Sequence, residues 1–195
     1  MNYNIEKSVF PLYLDFAAAA GTMNMPKQSE EQLRLLTAVV EQSEEAVLIS
    51  TAQLDFPGPA IVYVNPAFTR MTGYTAEEVI GKTPRILQGP KTDRSVVGRL
   101  RADCEAGRVA HGETINYRKD GSEFYLEWSV GPVWNEQGQI THFVSTQHDV
   151  SERRRVDENL YKKEQEFRQL FELSAVGMTK VSPEGRYLHV NRKLC

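Results

Sequence analysis

The sequence predicts an α+β domain: a five-stranded antiparallel sheet with small helices gathered on one face, and a longer helix on either side of it. Three observations predict this. Two short β-branched runs, around Val47 and Val62, come first, followed by a stretch of brief helical signals. Three longer alternating segments then follow, separated by the hairpin signals Lys119-Asp120-Gly121 and Asn135-Glu136-Gln137-Gly138. Helices inserted between the second and third strands must collect on one sheet face, and such a layer leaves a cavity between helices and sheet. A chain of 195 residues, 41% hydrophobic and 25% charged, is long enough for one such core plus accessory segments.

Taken in order, residues 1–28 carry the apolar run Phe10-Pro11-Leu12-Tyr13-Leu14, while Gly21 and Pro26 interrupt any helix begun near Phe16. They read either as an N-terminal extension packing on a partner chain or as a disordered leader. Ser29-Glu30-Glu31-Gln32 is a capping-box signature. Leu33, Leu36 and Val40 follow at helical spacing, widened by Leu35 and Val39, so a cap helix is placed over 29–42. Strands are placed over 46–50 and 60–65, with Phe56-Pro57-Gly58-Pro59 kept out of the sheet by its prolines. Short helices are expected over 66–71 and 75–80, the second capped by Thr75 with Glu77 and Glu78 in its first turn. Asp93 caps a helix over 93–105 whose inner face carries Val96, Val97 and Leu100. The remaining strands are placed over 112–118, 122–133 and 139–150.

Beyond the sheet, Val156, Leu160, Phe167 and Leu170 fall on a four-three heptad pattern with Lys163 as its polar member. Residues 152–172 are read as a coiled-coil linker that makes the chain a homodimer; the plainer alternative is a solvated amphipathic helix packed on its own sheet. Residues 173–195 repeat the start of the domain. Ser174-Ala175-Val176-Gly177-Met178 echoes the stretch from Ser43 to Val47, and Tyr187-Leu188-His189-Val190-Asn191 echoes Ile61-Val62-Tyr63-Val64-Asn65. This segment reads as the truncated start of a second copy. Two strands cannot bury a core alone, so it is expected to be disordered or loosely packed.

Composition removes several functions. A net charge of −3 gives no electrostatic case for nucleic acid or an anionic membrane. No apolar run approaches the roughly 18 residues of a membrane span. The early stretch from Val9 to Gly21 does not read as a signal peptide, because Glu6 stands beside Lys7 at its start and Asp15 interrupts its apolar run, and a cytoplasmic protein is expected. The two cysteines, Cys104 and Cys195, are too few for a disulfide scaffold, and His111, His142 and His148 lack metal-ligand spacing. No nucleophile-base arrangement, phosphate loop or paired carboxylates appear, so no enzymatic site and no metal site are expected. Arg153-Arg154-Arg155 is flanked by acids and reads as a solvated face.

The informative stretch is Gly81-Lys82-Thr83-Pro84-Arg85-Ile86-Leu87-Gln88-Gly89-Pro90-Lys91-Thr92-Asp93. Arg85 and Gln88 share one side of a helical turn, and a cation beside an amide suits a phosphorylated heteroaromatic ligand. With Asn65-Pro66-Ala67-Phe68 and Thr72-Gly73-Tyr74 before it, this stretch resembles the Per-Arnt-Sim (PAS) family. More narrowly, it resembles the flavin-binding light-oxygen-voltage (LOV) branch, whose motif reads Asn-Cys-Arg-Phe-Leu-Gln-Gly. The domain itself is placed over 43–151, and the resemblance covers about 41–151. It implies the PAS fold, a sensory role, a noncovalent FMN or FAD, and a downstream effector domain in the full-length protein.

Residue by residue, the resemblance implies a cofactor site of Asn65, Arg85, Leu87, Gln88, Arg101, Asn116 and Gln147. Arg85 and Arg101 would hold the flavin phosphate, Gln88 and Asn116 the pyrimidine edge, and Gln147 the ring's N5 and O4. Asn65 also has a plain reading as a turn cap. Three positions depart from the family: Pro84 stands where it has the photoactive cysteine, Thr83 replaces the preceding Asn, and Leu126 replaces a second Asn. The aliphatic Leu126 resembles redox-sensing FAD domains that also lack the cysteine. Trp128, Trp134 and Tyr125 read as packing residues that could also donate electrons, and Cys104 as remote from the expected thiol position. Glu78 and Lys119 match a surface ion pair of the family. Two functions follow as expectations: a flavin module sensing blue light or redox state and signalling through Gln147, or a ligand-free PAS dimerisation module.

Overall fold

The structure is a computed structural model that describes residues 27–194. The expected N-terminal extension therefore lies outside the described residues as far as position 26. Two compact units are divided between Val150 and Ser151.

The first unit opens with helix α1, Lys27–Gln42. It starts ahead of the predicted Ser29, because Lys27 and Gln28 are themselves good helix formers, and Ser29 lies inside the helix rather than at its cap. Strands β1, Ala46–Thr51, and β2, Ile61–Val64, are antiparallel neighbours. Helix α2, Pro66–Thr72, follows with Asn65 at its N-cap and Pro66 in its first turn, where a missing N–H costs nothing. The short helix α3 is Ala76–Val79. The Glu78 carboxylate accepts from Lys119 Nζ at 2.5 Å and from the Thr75 N–H at 2.9 Å, so the expected surface pair forms and holds Glu78 below its ordinary pKa.

A 3₁₀ turn, Pro84–Leu87, leads to helix α4, Arg94–Glu105, where Asp93 Oδ1 accepts from the N–H groups of Ser95 and Val96. Strands β3, Ala110–Tyr117, β4, Glu123–Trp134, and β5, Ile140–Asp149, complete the sheet. Its order is β2-β1-β5-β4-β3, antiparallel throughout, so the last strand lies at the centre between β1 and β4.

Two buried clusters make the core. One gathers Leu48, Ile61, Phe68, Val79 and Leu87; the other gathers Ala110, Phe124, Leu126 and Trp128, with Met71 packed against both. Trp128 passes so close to Gly112 that a β-carbon there would collide with the indole. Helix α1 is tied to the sheet by the Tyr63 hydroxyl, which donates to Glu41 Oε1 at 2.6 Å. Burial, and then this carboxylate, raise the Tyr63 pKa and keep it protonated.

The second unit holds helix α5, Ser151–Leu173, and a hairpin of β6, Thr179–Val181, with β7, Tyr187–Val190. Of the two expectations for 173–195, disorder or loose packing, the described residues up to 194 do not show the first: they form a paired hairpin. Asn191 explains it. Its Oδ1 accepts from the Met178 N–H, and its Nδ2 donates to the carbonyls of Phe171 and Val176, each at 2.9 Å. Phe171 is buried, with the His189 ring 5.9 Å away. Asn65 does the same in the first unit, accepting from Val47 N–H and donating to the carbonyls of Val40 and Glu45. The partners keep the same spacing from one another in both units, standing 18, 20 and 25 residues ahead of Asn65 and 13, 15 and 20 ahead of Asn191.

Candidate functional site

Alternation along the strands points one set of side chains at the helical layer. Thr114 and Asn116 of β3, Leu126, Trp128 and Val130 of β4, Phe143, Ser145 and Gln147 of β5, and Leu48 and Ser50 of β1 form the floor of a cavity of ≈ 320 Å³. Helix α4 forms one wall, because Arg94, Val97, Gly98, Arg101 and Cys104 recur at helical spacing on one face. Pro84, Arg85, Leu87 and Gln88 form another wall. The cavity thus lies where the two halves of the core fail to meet, bounded by Leu48 and Leu87 from one and Leu126 and Trp128 from the other.

The turn carrying Gln88 is fixed from several sides. Thr92 Oγ1 accepts from the Gly89 N–H and donates to the Ile115 carbonyl, while Thr114 Oγ1 accepts from the Asp93 N–H. The Tyr117 ring covers Gly89 so closely that any β-carbon there would overlap it.

Six of the seven residues expected at the site line this cavity: Arg85, Leu87, Gln88, Arg101, Asn116 and Gln147. Asn65 does not; it takes the plainer of its two readings, that of a turn cap. It is 1% exposed, and its amide is fully engaged in joining α1, β1 and α2 through Val40, Glu45, Val47 and Phe68. An amide with every function satisfied inside the frame has nothing to offer a ligand.

The remaining polar groups differ in how they are engaged. Arg101 donates from Nε to Glu105, from Nη1 to the Leu54 carbonyl at 2.9 Å and from Nη2 to Asp55. Two of a guanidinium's five N–H groups remain. The Arg85 side chain has no hydrogen bond or ion pair among the described residues, and its guanidinium carbon lies 3.8 Å from where a Gly58 β-carbon would sit. Both arginines thus flank the 52–60 connection. Gln88 Oε1 accepts from Arg94 Nη1 at 2.8 Å, which leaves its Nε2 uncommitted. Asn116 and Gln147 are each 6% exposed, and Asn116 Oδ1 and Gln147 Oε1 are buried without a partner. A buried acceptor without a donor costs on the order of 1–3 kcal/mol, so two on one cavity wall mark a place for a ligand that carries N–H groups.

Arg94 and Ser145 escaped the sequence reading. Arg94 was legible in principle, since it begins the helical face that includes Arg101; Ser145 had no signal beyond its place two residues before Gln147. Cys104, read as remote from Pro84, lines the same cavity from α4. Burial, then Asp103 and Glu105, push its thiol up to about 11, so it stays protonated. Among the described residues no His, Cys, Asp and Glu cluster could hold a metal, and no helix is long and apolar enough to cross a membrane.

Comparisons with known proteins agree with this geometry. A profile of the PAS domain matches residues 44–152, more than half of the chain. A blue-light-activated histidine kinase of Brucella anthropi is 40% identical over 115 residues, 59% of this chain and 23% of that protein. Blue-light-activated histidine kinase 1 of Erythrobacter litoralis is 40% identical over 120 residues, 61% of this chain and 32% of its own length. The chain thus spans about a quarter to a third of these relatives. The solved LOV domain of the Erythrobacter litoralis EL346 blue-light-activated histidine kinase superposes with a TM-score of 0.52 at 32% identity, covering 56% of this chain and 99% of that one. Sheet order, cavity and similarity converge: the chain belongs to the PAS family, and its first unit is a PAS domain of LOV type.

Proposed function

We propose that residues 43–151 bind a flavin, FMN or FAD, noncovalently and sense blue light or redox state without forming a thiol adduct. The observation that carries this reading is the pair of buried, partnerless oxygens, Asn116 Oδ1 and Gln147 Oε1, on the floor of a LOV-type cavity. The chain's own groups fit the ligand. Gln88 Nε2 and Asn116 Oδ1 offer a donor and an acceptor to a pyrimidine edge, and Arg85 with Arg101 offers cations to a phosphate at the 52–60 connection. When bound, flavin supplies absorption of blue light and reversible uptake of electrons and protons. Pro84 lines the cavity and has neither a nucleophile nor a proton donor, so the chain can form no covalent bond to the ring there. Gln147 holds both an N–H donor and a C=O acceptor, so its amide can answer a change in the ligand's protonation. Two residues on, Asp149 closes β5 and is paired with Arg118 at 2.6 Å.

The relatives are named as histidine kinases, and we assign this module the control of an effector further along the full-length protein. Residues 152–172 are proposed as its coiled-coil linker, and 173–195 as the start of a second PAS domain, supported by the repeated asparagine lock. Purified protein is expected to be yellow, and mass spectrometry of the released ligand separates FMN from FAD. Protein that is colourless and refuses added flavin overturns the reading. It would leave a ligand-free dimerisation module, which the exposed Leu35, Leu36 and Val39 of α1 favour.

A further inference from the structure

Gln147 sits among neighbours that leave its amide little choice. Directly across the sheet stand Ala46 on β1 and Trp128 on β4, and neither side chain can accept an N–H. Ser145, two residues back on the same face of β5, is 4% exposed, and its Oγ accepts from Gln147 Nε2 at 3.3 Å. That bond turns the amide nitrogen to the sheet and leaves Oε1 as a buried acceptor without a partner. Gln88 has a defined polarity as well. Arg94 holds the carbonyl of Gln88, which leaves Nε2, and Asn116 adds a second unsatisfied acceptor. The cavity therefore presents two buried acceptors that each need an N–H.

Donor count distinguishes the redox forms of a flavin. The oxidised ring carries a single N–H. Two electrons from an external reductant and two protons from solvent add hydrogens at N5 and N1, so only the reduced ring can serve both acceptors. Resting on the flavin reading above, we propose that Ser145 sets the polarity of the Gln147 amide, so that the site is arranged for the reduced ring in preference to the oxidised one. The oxidised ring can be accommodated only by turning the amide over, which requires the Ser145 hydroxyl to rotate and donate instead of accept. Ser145 is thus a positioning residue for the redox preference of the site, acting through Gln147.

The test is the midpoint potential of the FMN-loaded full chain, titrated with dithionite against a reference dye, with FMN affinity measured in parallel. Ser145→Ala and Ser145→Gly are expected to lower the affinity ratio of reduced to oxidised FMN roughly tenfold, a fall of about 30 mV for a two-electron couple. Ser145→Thr, which keeps the hydroxyl, restores the wild-type value. In a Gln147→Leu background, Ser145→Ala changes nothing. An unchanged potential in both hydroxyl-free variants, or the same fall in the Gln147→Leu background, overturns the inference while leaving flavin binding intact. Wild-type protein that takes up no FMN overturns the flavin reading and this inference together.

Discussion

Asn65 and Asn116 are the same residue, and only their partners tell them apart. Asn65 joins four backbone groups across three elements, whereas Asn116 leaves its oxygen open to the cavity. Asn65→Ala is expected to cost about 3 kcal/mol in urea unfolding, because the buried backbone groups it served lose their partner. Asn116→Leu is expected to leave the unfolding midpoint nearly in place and to weaken FMN binding about tenfold in a fluorescence titration. Arg85→Ala separates phosphate recognition from ring recognition. Affinity for FMN should fall roughly tenfold to a hundredfold while affinity for riboflavin, which has no phosphate, stays put. Blue light should give no short-wavelength band that reverts in the dark, and Cys104→Ala should behave alike, since Pro84 stands where the family has its thiol. Six cavity residues were legible because their types and spacing follow a known motif. Asn65 kept two readings, cofactor site and turn cap, because a sequence does not reveal how many partners an amide has; its hydrogen bonds are those of the cap. Ser145 and Arg94 became visible only once alternation along β5 and the face of α4 had been fixed in space.

Among the elements, α4 shows how local sequence rules place a site. Its cap, Asp93, and the apolar spacing of Val96 and Leu100 fix where the helix begins and which side packs, and the cavity-facing residues follow. Hydrogen bonds from Ser95, and then the Val96 N–H, hold the Asp93 carboxyl below its ordinary pKa, as Lys119 does for Glu78. A depressed folded pKa contributes stability that is complete above the unfolded value and is lost as pH falls through the folded one. Both groups are solvent-exposed, so the effect is modest. The melting temperature should decline on acidification below about pH 4, and Asp93→Asn, which keeps an acceptor at the cap but does not titrate, should make that decline shallower. Helix boundaries were legible to within a residue or two wherever a cap was specific. At α1 the offset is likewise two residues, with Lys27 and Gln28 helical ahead of the capping-box pattern at Ser29.

At the scale of the whole chain, the α+β class and the strand order in sequence were legible because turn residues punctuate the alternating segments. That β5 would be the central strand was not, since local pattern does not specify which strands pair. The apolar faces of the two long helices remain to be covered: Leu36 and Val39 are 65% and 68% exposed, and Leu160 and Leu170 are 66% and 74% exposed. We expect light scattering at tens of micromolar to give a dimer mass, and Leu160→Glu to shift it toward monomer without bleaching the flavin. Loss of folding in that variant would instead place Leu160 inside a single chain. The asparagine lock in the second unit bears on how such a chain handles motion. Asn191 grips the Phe171 carbonyl in the last turn of α5 and the Val176 carbonyl beyond it, so that end of the helix is neither frayed nor free to swivel. A rod with a loose end loses any twist applied to it, whereas a clamped rod delivers the torque to whatever holds it. In the proposed linker role, this clamp would pass a twist of α5 on to the hairpin that follows. Asn191→Ala should speed amide exchange over 171–178 and, in that role, uncouple the hairpin from the helix.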